Sequence, residues 1–140
     1  GWVSIRWKCR VRIPWKSTGL PWYDTYKTAD GKYVAIGALE PQFFKVLCEK
    51  LGLDLGWLQA RDDRASWPGL RAELERVFAS QTRDHWCALL EGTDACFSPV
   101  LSIQEAPLHR HSLARHAFFD REGVTHPAAA PRFLSGRQTA

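Results

Sequence analysis

The sequence predicts an α/β chain built on a small α+β domain, a β-hairpin followed by helices. Three observations carry that expectation. Strand-like residues flank Asp30-Gly31, a tight-turn pair. Beyond it, apolar residues recur at helical spacing in three segments between Pro41 and Leu90. Start and stop residues bracket those segments: Pro41, Gly52, Ser66, Thr82 and Gly92.

The elements follow in order. Val3, Ile5, Trp7, Cys9, Val11 and Ile13 alternate with Ser4, Arg6, Lys8, Arg10 and Arg12. That is the period of a half-buried strand, which Pro14 ends. Its charges fit an edge strand that resists pairing with other chains. Tyr23 to Lys27 and Lys32 to Ile36 read as the two arms of the hairpin, with Gly37 at its end. Pro41 suits a first helical turn, where a missing N–H removes no bond. Phe43, Phe44, Val46, Leu47 and Leu51 then make one helix face, and Gly52 a C-cap.

Asp62, Asp63 and Ser66 precede a second helix with the stripe Leu70, Leu74, Val77 and Phe78. Thr82 caps a third, with Trp86, Leu89 and Leu90 inward and Gly92 closing it. Cys96 to Leu101 reads as a short strand that Pro99 confines to an edge or a bend. Glu105 to Arg115 reads as short helix plus loop. Ala117 to Asp120 and Val124 to His126 read as a last hairpin around Glu122-Gly123, followed by an extended tail from Pro127. The resulting division is 1–22, a basic Trp-rich segment; 23–106, the small domain; and 107–140, a return segment and tail.

Charge gives little reason to expect nucleic acid or membrane as a partner. The net charge is +4, from 19 Lys and Arg against 15 Asp and Glu. Arg6, Lys8, Arg10, Arg12 and Lys16 account for all of that excess. The remainder of the chain is nearly neutral. No run approaches the ~20 apolar residues that span a bilayer. The four Cys (Cys9, Cys48, Cys87, Cys96) form no C-x-x-C pair. They read as reduced thiols, which places the chain in a cytoplasmic-type compartment. A chain that starts at Gly1 and holds no Met reads as a fragment.

Few residues carry recognisable chemistry. His109, His111 and His116 are poorly spaced for a shared helix face, and no Cys or carboxylate completes a metal shell. No metal or cofactor is expected. No glycine-rich phosphate loop, Gly-x-Ser-x-Gly elbow or Cys–His pair of family spacing is present. Glu40 stands out. It lies where the hairpin hands over to a helix, and there a carboxylate either caps free backbone N–H groups or faces a cleft.

The run Tyr23-Asp24-Thr25-Tyr26-Lys27 through Gly37-Ala38-Leu39-Glu40-Pro41-Gln42-Phe43 resembles the α-methylacyl-CoA racemases, members of the family III CoA-transferases. Asp63-Arg64-Ala65-Ser66-Trp67-Pro68, Thr82-Arg83-Asp84-His85-Trp86, Thr93-Asp94-Ala95-Cys96-Phe97-Ser98-Pro99-Val100-Leu101 and Pro131-Arg132-Phe133 are similar to the same family, in the same order. The resemblance runs from Tyr23 to Phe133. It implies a family III CoA-transferase-like fold, in which this chain supplies the small domain and a return segment towards a Rossmann-like large domain outside it. It also implies an interlocked homodimer and an acyl-CoA thioester as substrate.

The implied reaction removes the α-proton of a 2-methylacyl-CoA and returns one from the other face. The acid/base pair is a His and an Asp of the large domain, so the chain alone is expected to be inactive. The family's motif Glu corresponds to Glu40, which the resemblance casts as a supporting residue that orients that His. Asp94 and His111 fall in family-like stretches and are assigned to packing and interdomain contacts. Residues 1–22 depart from the family pattern apart from Gly19 and Pro21, as does the tail after Phe133. The abrupt change near residue 22 raises the expectation that both ends are out-of-frame or artificially appended sequence. Two other functions compete: a CoA-transferase of the same family, and a binding or oligomerisation module that uses the basic N-terminal strand.

Overall fold

The computed structural model describes residues 19–130. The strand expected over Val3 to Ile13 and the tail beyond residue 130 lie outside the described residues. The chain divides between Val100 and Leu101 into two compact units.

In the first unit a sheet forms from β1 (Tyr23–Lys27), β2 (Tyr33–Gly37) and β3 (Phe97–Val100), in the order β1-β2-β3. Both pairings are antiparallel, with Tyr26 opposite Val34 and Val34 opposite Pro99. The period of two sets the faces: Tyr26, Val34 and Ile36 are buried, while Tyr23 and Tyr33 are exposed. Pro99 sits on the edge strand, where a missing N–H removes no ladder bond. Gly31 takes φ +77° in the hairpin turn, a region that glycine enters without a Cβ clash.

The helices are α1 (Pro41–Leu51), α2 (Trp57–Ala60), α3 (Trp67–Phe78) and α4 (Arg83–Leu90). All four expected stripe residues of α3 are buried. In α1 the buried face is Phe44, Leu47 and Cys48, with Phe43, Val46 and Leu51 packed at its margin. Cys48 joins that face because residue 48 lies four positions beyond Phe44, and its thiol packs as a small hydrophobe. Gly52 ends α1 with φ +66°, and its N–H donates to the Glu49 carbonyl at 3.4 Å. Thr82 caps α4 by accepting from the His85 N–H at 3.2 Å. Helix α2 was not expected: with only four residues it shows no apolar period.

One aromatic stack centres this core. Phe78 lies 5.3 Å from the Tyr26 ring and 5.4 Å, edge-on, from Trp86. Trp86 Nε1 donates to the Phe78 carbonyl at 3.0 Å, and Tyr26 Oη donates to the Pro21 carbonyl at 2.5 Å. Both polar tips are therefore satisfied inside the core. Arg71 of α3 pairs with Asp24 of β1 at 2.7 Å, across the same helix–sheet contact.

The hairpin turn is tied to α4. The Asp30 carboxylate accepts from Thr28 Oγ1 at 2.5 Å and from the Arg83 N–H at 3.2 Å. The Thr28 bond, followed by backbone donors, holds the Asp30 carboxyl below the usual carboxylate range.

The second unit carries a 3₁₀ turn (Ala106–Leu108), α5 (Arg110–Ala114) and a hairpin of β4 (Phe118–Arg121) and β5 (Val124–Pro127). None of residues 101–130 is fully buried. Local bonds define it: Asp120 accepts from the Gly123 N–H at 3.0 Å, and the Ala128 N–H donates to Ala117 at 2.8 Å.

Two measurements test this account. Phe78→Ala should destabilise the protein by about 3–5 kcal/mol in urea titrations. Ile103→Ala, at a residue 87 % exposed, should leave the midpoint unchanged. Asp30 also predicts an acid limb. A depressed carboxyl contributes stability that is complete above the ordinary carboxylate range and is lost as pH falls through its lowered value. Asp30→Ala should flatten that limb, and stability measured between neutral and acid pH checks it.

Candidate functional site

Glu40 stands at the exit of β2, and each peptide leading to it is held. The Gly37 N–H donates to the Cys96 carbonyl at 2.9 Å and the Ala38 N–H to the Trp22 carbonyl at 3.0 Å. The Leu39 carbonyl accepts from Arg61 Nη2 at 2.6 Å. The Glu40 carbonyl accepts from the Phe43 and Phe44 N–H groups at 3.1 and 3.0 Å, the first bonds of α1. Ala38 is fully buried beside this path.

The side chain is treated differently. Glu40 is the N-cap residue of α1 in extended backbone, yet its carboxylate makes no cap hydrogen bond. The capping use open to this residue is therefore not taken up. An exposed carboxylate remains, on backbone fixed before and after it.

The pairing of β3 with β2 brings Asp94 and Cys96 to the same place. Cys96 takes φ +50° just before β3, which directs its carbonyl to Gly37. Cys96 is an exposed residue, yet partial desolvation of its sulfur, then the charges of Glu40 and Asp94, raise its thiol above the ordinary range. Two acidic side chains thus bear on one thiol at the sheet's end. Cys48 differs: it is fully buried, and burial pushes its thiol up to about 11 despite the opposing charge of Arg61.

Arg61 escaped the sequence reading. A lone Arg between helices carries no signal of burial, yet only 8 % of this one is exposed. Its guanidinium lies 4.4 Å over the Trp22 ring and 5.1 Å over Phe44. His109, His111 and His116 lie in the second unit, where His109 Nδ1 accepts from the His111 N–H at 3.4 Å and caps α5. Among the described residues no group of three or more His, Cys, Asp or Glu is placed to hold a metal ion. Among them, too, no helix is long and apolar enough to cross a membrane.

A thiol-labelling experiment checks this geometry. Glu40→Gln removes a charge that disfavours the Cys96 thiolate, so alkylation of Cys96 below its pKa should quicken about twofold. Cys48 should stay unlabelled until the protein unfolds. Peptide mapping after timed iodoacetamide treatment reads both.

Comparison with known proteins places the chain. The model of the family described as CoA-transferase family III matches residues 8–139. That range takes in most of residues 1–22 and the tail after Phe133, so the expectation that both ends depart from the family pattern is corrected over residues 8–22 and 134–139. Mouse α-methylacyl-CoA racemase is 40 % identical over 137 residues, covering 91 % of this chain and 36 % of the mouse protein. The human α-methylacyl-CoA racemase is 36 % identical over 141 residues, covering 94 % and 37 %. The crystal structure of Rv3272 from M. tuberculosis superposes with a TM-score of 0.66 at 25 % identity, over 82 % of this chain and 33 % of that one. The chain thus spans about a third of the length of these relatives. With the hairpin, helices and Glu40 turn in place and the family match running through them, the chain belongs to CoA-transferase family III.

Proposed function

We propose that this chain is the small-domain portion of a racemase acting on 2-methylacyl-CoA thioesters. The observation that carries the reading is Glu40: an exposed carboxylate on hydrogen-bonded backbone, within a run that resembles the racemases' motif. The identity to the two mammalian racemases supports it.

The chemistry sets what the complete site must contain. A thioester acidifies its α-proton because the resulting charge spreads onto the carbonyl oxygen. A base and an acid must flank the α-carbon, each able to exchange protons near neutral pH. Donors must also hold the enolate oxygen. In this reading the proton-transfer His and Asp and most CoA contacts belong to a large domain outside this chain. Glu40 approaches that His, accepts a charge-assisted hydrogen bond, and favours the imidazolium that forms after proton abstraction. The working protein is an interlocked homodimer, needs no metal or organic cofactor, and acts in a reducing, cytoplasmic-type compartment.

The second reading is a CoA-transferase, which passes CoA between acids through an Asp anhydride. Its support is weaker: the acetyl-CoA:oxalate CoA-transferase of Acetobacter aceti is 25 % identical over 129 residues. An assay separates the two. The full-length gene product should exchange the α-proton of a 2-methylacyl-CoA in heavy water without a second acid present. Glu40→Gln should lower kcat by up to about 100-fold, because it weakens a His whose own proton transfer is worth about 100-fold or more. Exchange undiminished in that variant would remove Glu40 from the mechanism. CoA transfer to an added acid, with no solvent exchange, would favour the transferase.

A further inference from the structure

We infer that Arg61 is a positioning residue for Glu40, aiming its carboxylate by locking the peptide that precedes it. The inference deepens the proposed role of Glu40 and rests on that reading for its catalytic meaning.

The geometry is specific. Arg61 comes 21 residues after Glu40 in the chain and reaches back to the Leu39 carbonyl at 2.6 Å. That carbonyl belongs to the peptide plane between Leu39 and Glu40. Holding it restrains ψ of Leu39 and φ of Glu40, the rotations that swing the Glu40 side chain. On the far side of Glu40 the α1 hydrogen bonds fix ψ. Both flanking rotations are thereby set.

Arg61 is itself immobilised. Its N–H donates to the Trp57 carbonyl at 3.0 Å, and its carbonyl accepts from Trp67 Nε1 at 2.8 Å. Its guanidinium packs on Trp22 and Phe44. Trp22 also accepts from the Ala38 N–H, so one residue supports both the Arg61 stack and the approach to Glu40.

Burying a cation is costly without compensation. Among the described residues no carboxylate pairs with Arg61, and its Nη1 is buried without a hydrogen-bond partner. An aliphatic residue would fill the space at lower cost but would release the Leu39 carbonyl. A planar guanidinium can stack on rings and donate in its own plane, which a Lys ammonium does not reproduce.

Cys96 supplies a readout that needs no catalysis. Its thiol is raised by burial and by Glu40 and Asp94, the charged groups that bear on it. A double-mutant cycle on Cys96 alkylation, in the full chain at about pH 8, therefore reports where the Glu40 charge sits. With Arg61 present, Glu40→Gln should speed labelling about twofold. In the Arg61→Met background that effect should fall to half or less. Arg61→Lys, chosen to preserve folding if Met does not, should also retain no more than half, because its ammonium lacks the planar fork.

A Glu40→Gln effect of full size in whichever Arg61 variant folds, judged by circular dichroism and melting, would overturn the inference. In the full-length gene product, Arg61→Met should lower kcat with little change in KM, and the loss should not add to that of Glu40→Gln. Additive losses would also count against it. If the wild type catalyses no α-proton exchange, the reading of Glu40 fails, while the thiol cycle still decides whether Arg61 aims it.

Discussion

The packing of α3 across the sheet, with Phe78 between Tyr26 and Trp86, is the contact on which the rest of the first unit depends. It buries one face of β1 and β2 and brings the end of α3 close to α4. Without it the apolar face of the sheet, with Tyr26, Val34 and Ile36, would stand in water. Because Tyr26 and Val34 face each other in register, burying this face also fixes which residue of β2 emerges last. A slip of one residue would turn Val34 and Ile36 to solvent.

That fixed register delivers Glu40. The chain leaves β2 through Gly37, crosses the buried Ala38, and reaches Glu40 with its main chain bonded at each step. Backbone rigidity and an exposed carboxylate are thus combined in one residue. A functional group needs both: rigid supports keep its geometry, and exposure lets another domain or a ligand meet it.

Electrostatics around the turn follow from burial more than from net charge. Arg61 lies in an aromatic cradle and bonds a neutral carbonyl, so its charge acts on the main chain rather than in an ion pair. Glu40 and Asp94 leave negative charge at the rim, which the Cys96 thiol registers. The overall charge of +4 says nothing about this acidic patch, since the charges setting it are separated by more than fifty positions.

Much of the fold was legible because local physics dictates it. The two hairpin arms, the Asp30-Gly31 turn, the α3 stripe and the caps Thr82 and Gly52 depend on neighbours within four residues. Glu40 was legible as a position, from the hairpin before it and Pro41 after it. Helix α2 was not, because four residues carry no period. The burial of Arg61, its hold on the Leu39 carbonyl and the meeting of Glu40 with Asp94 and Cys96 were not either. Those contacts join residues from 22 to 56 positions apart. The sequence by itself determined the hairpin, the three longer helices and where a carboxylate would stand. Only the tertiary structure decided what surrounds it, because a side chain's partners across the core depend on how whole elements pack, and no local pattern encodes that.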